Sequence, residues 1–147
     1  MMKSAGEYHR EGFNCCESVL LGLLDHLGVK DEILVPQIAT GFGGGIGHTG
    51  RICGALTGAI MALGKKYGRN DPTDKETRDR FYQMVENFLH EAQEILGSTN
   101  CIDLIGVPLN TEEGLRAYRE RNLREKCDQI IVAVEALAKQ YLTRYGA

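Results

Sequence analysis

Apolar residues in this chain recur at every third or fourth position, and nowhere do they alternate with polar ones for long enough to make a strand. That period marks helices that bury one face. Cys16, Leu20, Leu23, Leu24 and Leu27 fall on one stripe, between the capping pair Asn14/Glu17 and a terminating Gly28. Phe81, Val85, Phe88, Leu89, Ala92, Ile95 and Leu96 form a second stripe, opened by Thr73 with Glu76 and stopped at Gly97. Ile130, Ile131, Val134, Leu137, Ala138 and Tyr141 form a third, on a helix from about Leu123 to Tyr145. Shorter helices are expected over Lys3 to Glu11, over Asp31 to Thr40 with Pro36 at a start or kink, from Asn100 to Ile105, and behind Thr111. The sequence predicts an all-α fold, a compact bundle of about five to seven helices with a Gly-rich loop before a central helix.

At 147 residues the chain suits one domain, expected to span 1–147. The net charge is −3 with both signs interspersed, so no basic stripe points to nucleic acid or an anionic membrane. The segment from Met1 to Glu7 lacks an apolar signal core, and the longest nearly apolar stretch, Ala55 to Gly64, is too short to span a bilayer. A cytoplasmic location is the expectation, and there thiols stay reduced. Five cysteines in such a chain call for a reason. The plain one is that a free cysteine packs as a small hydrophobe.

Four of the five suggest more. Cys15 follows Asn14 and Cys101 follows Asn100, so each is expected in the first turn of a capped helix. Cys53 lies near the start of the helix after the Gly-rich loop. Helix N-termini offer free N–H groups and a positive end, which favour thiolate over thiol. Cys127 falls on the interior side of the last helix. Cys16 shares the leucine stripe and is read as core, with Cys15 the functional member of the pair. There is no CxxC, so a zinc ribbon or thioredoxin-like motif is not indicated. The gaps between the cysteines are long, so any shared site has to be assembled by the fold.

The segment Gly41 to Gly50 has six glycines in ten residues. It contains Gly45-Ile46-Gly47-His48-Thr49-Gly50, the letters GxGxxG, but no strand or βαβ unit surrounds them, as dinucleotide binding requires. A backbone nest for an anion, or close approach to a cluster, is the better reading. Gly43, Gly44, Gly45, Gly47, His48 and Gly54 are the candidate binding residues, His48 as ligand or proton donor. Gly54 and Gly58 share a helix face and invite close approach of another backbone, from this chain, a second subunit or a flat cofactor. Glu112, Glu113 and the Arg116, Arg119, Arg121 and Arg124 series read as a solvated face.

These residues resemble a family of redox-active proteins named for a C-GCAxxG-C-C cysteine pattern. Phe13-Asn14-Cys15-Cys16-Glu17-Ser18-Val19 is similar to its first-cysteine segment, where alanine commonly stands at the place of Cys16. Gly43-Gly44-Gly45 through Cys53-Gly54-Ala55-Leu56-Thr57-Gly58 is similar to its central signature. Cys101, after Gly97-Ser98, and Cys127, before Ile130-Ile131, look like its third and fourth cysteines. The resemblance implies a small helical redox protein. A similar domain occurs in a multihaem cytochrome, where it is associated with an iron–sulfur centre. No CxxCH is present, so covalent haem does not carry over.

Three functions follow as expectations. The first is a redox or electron-transfer protein in which Cys15, Cys53, Cys101 and Cys127 are metal ligands, of a [2Fe-2S] cluster. The second is metal-free thiol–disulfide chemistry, with Cys15 or Cys53 as catalytic nucleophile. The third is a helical module that binds an anion or nucleotide on the Gly loop, its cysteines structural. A redox partner protein accompanies the first, and the Gly54/Gly58 face suggests a homodimer.

Overall fold

The computed structural model describes residues 2–30 and 35–144. Among these residues it has nine helices and no strand. They are α1 (Ala5–Arg10), α2 (Cys15–Leu27), α3 (Gln37–Thr40), α4 (Gly43–Ile46), α5 (Gly54–Tyr67), α6 (Lys75–Leu96), α7 (Cys101–Ile105), α8 (Glu112–Glu120) and α9 (Leu123–Arg144). The all-α expectation holds. The helix number exceeds the expected five to seven: α3 and α7 fall in stretches where short helices were expected, whereas α4, a single turn inside the Gly-rich segment, was expected to be loop.

The caps explain most boundaries. Asn14 and Glu17 close a capping box on α2, and Gly28 ends it in the left-handed conformation. Ser4 and Glu7 do the same at the start of α1. Thr111 caps α8. At α6 the cap is Asp74, one residue beyond the expected Thr73. Thr73 donates both its N–H and its hydroxyl to Asp71, which leaves the Asp74 carboxylate to accept from Thr77. Pro36 begins α3. Positions 31–34 of the expected Asp31 to Thr40 helix, and Tyr145, lie outside the described residues.

The core forms where α2, α5 and α9 meet, with α1 and α6 packed around them. Val19, Leu23, Leu56, Leu63, Ile131, Val134 and Tyr141 are fully enclosed there. Cys16 is also fully buried, as its stripe predicted. On α6 the buried face is Met84, Phe88 and Ala92, whereas Ile95 is 59% exposed. A second, smaller cluster gathers Cys101, Ile105, Val107 and Leu109 against Leu115, Tyr118, Leu123 and Cys127.

Gly54 and Gly58 are where α2 and α5 touch. A Cβ on Gly58 would lie 2.6 Å from the Cys16 carbonyl oxygen, and one on Gly54 would lie 2.5 Å from Cys15 Sγ. The close neighbour of this glycine face is therefore α2 of the same chain, and the face gives no ground for a second subunit. Among the described residues no helix is long and apolar enough to cross a membrane.

Candidate functional site

Four tethers bring distant parts of the chain to one place. The first fixes Cys15. The Asn14 side chain caps α2 and also donates to the Thr40 carbonyl at 3.0 Å, while the Thr40 hydroxyl donates to Glu17. The start of α2 is thereby bound to the entry of the Gly-rich segment, and Gly43 lies so near that a Cβ there would meet Asn14 Nδ2 at 2.7 Å.

The second tether joins Cys53 to Cys101. Cys53 donates its N–H to the Thr99 carbonyl at 2.8 Å, Cys101 donates to Arg51 at 2.7 Å, and Ile102 donates to Gly50 at 3.1 Å. These bonds surround the isolated antiparallel bridge between Ile52 and Asn100.

The Gly-rich segment is the third. Gly44, Gly45, Ile46, Gly47 and His48 all have φ between 58° and 69°, so the chain makes a left-handed turn. L-residues avoid this at a cost of roughly 1–2 kcal/mol each, while glycine enters it freely. The Thr49 hydroxyl donates to the Gly45 and Ile46 carbonyls and staples the turn. Gly45 is needed for space as well: its Cβ would lie 2.7 Å from Cys101 Cβ. The GxGxxG letters thus spell a left-handed turn that ends three residues before α5, not a strand-to-helix turn.

The fourth tether joins the start of α9 to the α1–α2 corner. The exposed Arg124 guanidinium donates to the carbonyls of His9 and of Phe13, the latter at 3.1 Å, and His9 Nδ1 sits 3.0 Å from Asp128. Arg124 is thus the exception to the solvated arginine face. Cys127 is carried with it, and the Tyr118 hydroxyl on α8 lies 3.3 Å from its sulfur.

The result is a cavity of about 400 Å³ at the seam of the two hydrophobic clusters, with Cys15, Cys53, Cys101 and Cys127 all on its wall. Of the expected binding residues, Gly43, Gly44, Gly47 and His48 also line it. Gly45 and Gly54 stand behind, against Cys101 and Cys15. Leu104, Ile105, Leu109, Leu115, Ile130 and Ile131 supply the apolar part. Cys16 is not on the wall; it points into the core, where Thr57 donates to its sulfur. His26 and His90 are exposed. His9, Tyr118 and Arg124 also line the cavity and were not picked out from the sequence. Nothing in their own neighbourhoods signals a site, although Tyr118 precedes Cys127 by nine residues on an adjoining helix.

The protonation of the thiols differs from the expectation. Cys15 and Cys101 do open α2 and α7, but Cys53 is the N-cap residue of α5. Burial pushes the Cys101 thiol up to about 12, with the charges of Cys15 and Cys127 adding to the rise. Burial, then the charge of Cys15, raises Cys53 further; the amides of Ala55 and Leu56 favour its thiolate without closing a cap hydrogen bond. Cys127 is raised by burial, against the lowering effect of Tyr118. Burial and Cys127 together keep the Tyr118 phenol protonated. Desolvation outweighs the helix ends at Cys53, Cys101 and Cys127, so burial favours their neutral thiols.

All five cysteines are free. Among the described residues, no three His, Cys, Asp or Glu side chains converge tightly enough to hold one metal ion.

Fold and site define a helical protein whose distinctive feature is a cavity walled by four thiols. The family model described as "Putative redox-active protein (C_GCAxxG_C_C)" matches residues 13–141, and the chain belongs to that family. A protein of Archaeoglobus fulgidus described as an "Uncharacterized protein" is 30% identical over 106 residues, which cover 67% of this chain and 69% of that one. No solved structure matches.

Proposed function

We propose that this protein transfers electrons through an iron–sulfur cluster held by Cys15, Cys53, Cys101 and Cys127. The observation that carries the reading is selective convergence. Four cysteines from separate segments line one cavity, and the fifth, adjacent in sequence to one of them, does not. Four thiolates are the ordinary ligand set of a [2Fe-2S] cluster.

The residues fit such a group. Four thiols on the wall of one 400 Å³ cavity supply the donor number and type that such a cluster takes. Gly45 and Gly54 leave room where a side chain would displace Cys101 and Cys15. A bound cationic centre would offset the cost of burying thiolate charge at Cys53, Cys101 and Cys127. When bound, the cluster supplies one-electron transfer. Leu104, Ile105, Leu109, Leu115, Ile130 and Ile131 would give it a partly apolar surround, and a redox partner protein completes the reaction.

The metal-free reading is less well supported, because Cys53, one of its two nucleophiles, is buried and raised. Anaerobic purification from cells able to build clusters, followed by iron and acid-labile sulfide assay with a visible spectrum, tests the proposal. Iron and sulfide in stoichiometric amounts are expected. Their absence together with a reversible disulfide among these four cysteines would replace it with dithiol chemistry.

A further inference from the structure

We propose that Tyr118 sets the reduction potential of this centre by donating its hydroxyl hydrogen bond to Cys127. The inference rests on the cluster reading above and concerns a residue outside the cysteine pattern. The Tyr118 oxygen lies 3.3 Å from Cys127 Sγ, and both residues line the cavity. A ligating thiolate carries no proton, so in the loaded protein only the phenol can donate in this bond.

The placement of the phenol is built. Thr111 caps α8 by accepting from Gly114, and Gly114 is pressed so closely on the Pro108 carbonyl that no side chain fits there. That contact seats α8 against the loop before it. Tyr118 then lies within the smaller hydrophobic cluster, packed with Leu109, Leu115 and Cys127. Among the described residues, Cys127 alone of the four accepts a side-chain hydrogen bond; the bond to a sulfur elsewhere, from Thr57, goes to Cys16 in the core.

A donor aimed at a ligand sulfur stabilises the more negative, reduced state more than the oxidised one. The bond therefore raises the potential. Tyr118→Phe removes the hydroxyl and keeps the ring. It is expected to hold the same iron and sulfide while its reduction equilibrium shifts about tenfold toward the oxidised form, a fall of about 59 mV for a one-electron couple. Site-specific 3-fluorotyrosine at position 118, a stronger donor of the same shape, is expected to move the potential the other way. Tyr82→Phe, at a position 64% exposed on α6, leaves it unchanged.

The measurement is an anaerobic potentiometric titration with iron and sulfide assayed on each sample. Equal cluster content with an unchanged or higher potential in Tyr118→Phe overturns the inference and leaves the cluster reading intact. If Tyr118→Phe loses iron, the fluorotyrosine protein decides, and no upward shift there overturns the inference. A wild-type protein without iron and sulfide overturns the underlying reading, and this inference with it.

Discussion

Two identical substitutions on one helix are expected to have opposite effects. Replacing glycine by alanine inside an exposed helix is worth about 1 kcal/mol of helix propensity. Gly64→Ala on α5 should collect that gain, because its new Cβ meets Phe81 ring carbons at 3.5 and 3.6 Å, which is ordinary contact. Gly58→Ala, six residues earlier, puts its Cβ 2.6 Å from the Cys16 carbonyl oxygen and 3.3 Å from the carbon behind it. Those atoms are backbone of α2 and cannot swing aside, so the two helices must part. Overpacking of this kind costs about 1–3 kcal/mol, and contact with a backbone oxygen belongs at the upper end. Subtracting the propensity gain leaves Gly58→Ala about 2 kcal/mol less stable than the parent, or roughly 4–8 °C in Tm for a chain of this size. The two variants should then differ by about 3 kcal/mol. Urea denaturation followed by far-ultraviolet circular dichroism reads both. If Gly58→Ala matches or exceeds Gly64→Ala in stability, α2 and α5 are not in the register described.

Two more expectations come from the same neighbourhood. His9 is 2% exposed; burial lowers its pKa from the ordinary 6.5, against the raising effect of its Asp128 hydrogen bond. A lowered histidine leaves the unfolded chain holding more protons, so stability is full above about pH 6.5 and is lost as pH falls toward the folded value. His9→Gln should flatten that stretch of the curve, and an unchanged difference between pH 7 and pH 5 would contradict it. Ile46, a β-branched residue at φ 68° and 42% exposed, is a costly occupant of the left-handed turn. Ile46→Gly should be neutral or stabilising by up to about 1 kcal/mol in the same denaturation assay, despite losing an apolar side chain, and a clear loss would show that Ile46 is held by packing.

Much of the scaffold was legible because it depends on local chemistry. Asn14/Glu17 and Gly28 delimit α2, and Cys16 was assignable to core from its leucine stripe, since one period decides both questions. Where local interactions compete, the reading slipped: Thr73 was the natural cap until Asp71 captured it. The left-handed turn was hidden because glycine content says that unusual φ values are allowed, not which are used. The thiol environment was misjudged because helix ends can be read from sequence, whereas burial, the larger effect, is a property of the assembled cavity. Convergence of the cysteines was equally hidden. It depends on the 50–53 segment pairing with 99–102, and on Arg124 reaching back to His9 and Phe13, contacts between residues up to 115 positions apart. His9 enters the site through the Arg124 contact, and Tyr118 through its hydrogen bond to Cys127.

The central claim is that four particular thiols share one group and the fifth does not. Iron per chain, measured on anaerobically purified Cys→Ser variants at positions 15, 16, 53, 101 and 127, tests it most directly. The account predicts near-parental iron at position 16 and severe loss at each of the other four. Loss at position 16 with retention at position 15, or iron indifferent to all five substitutions, would contradict it.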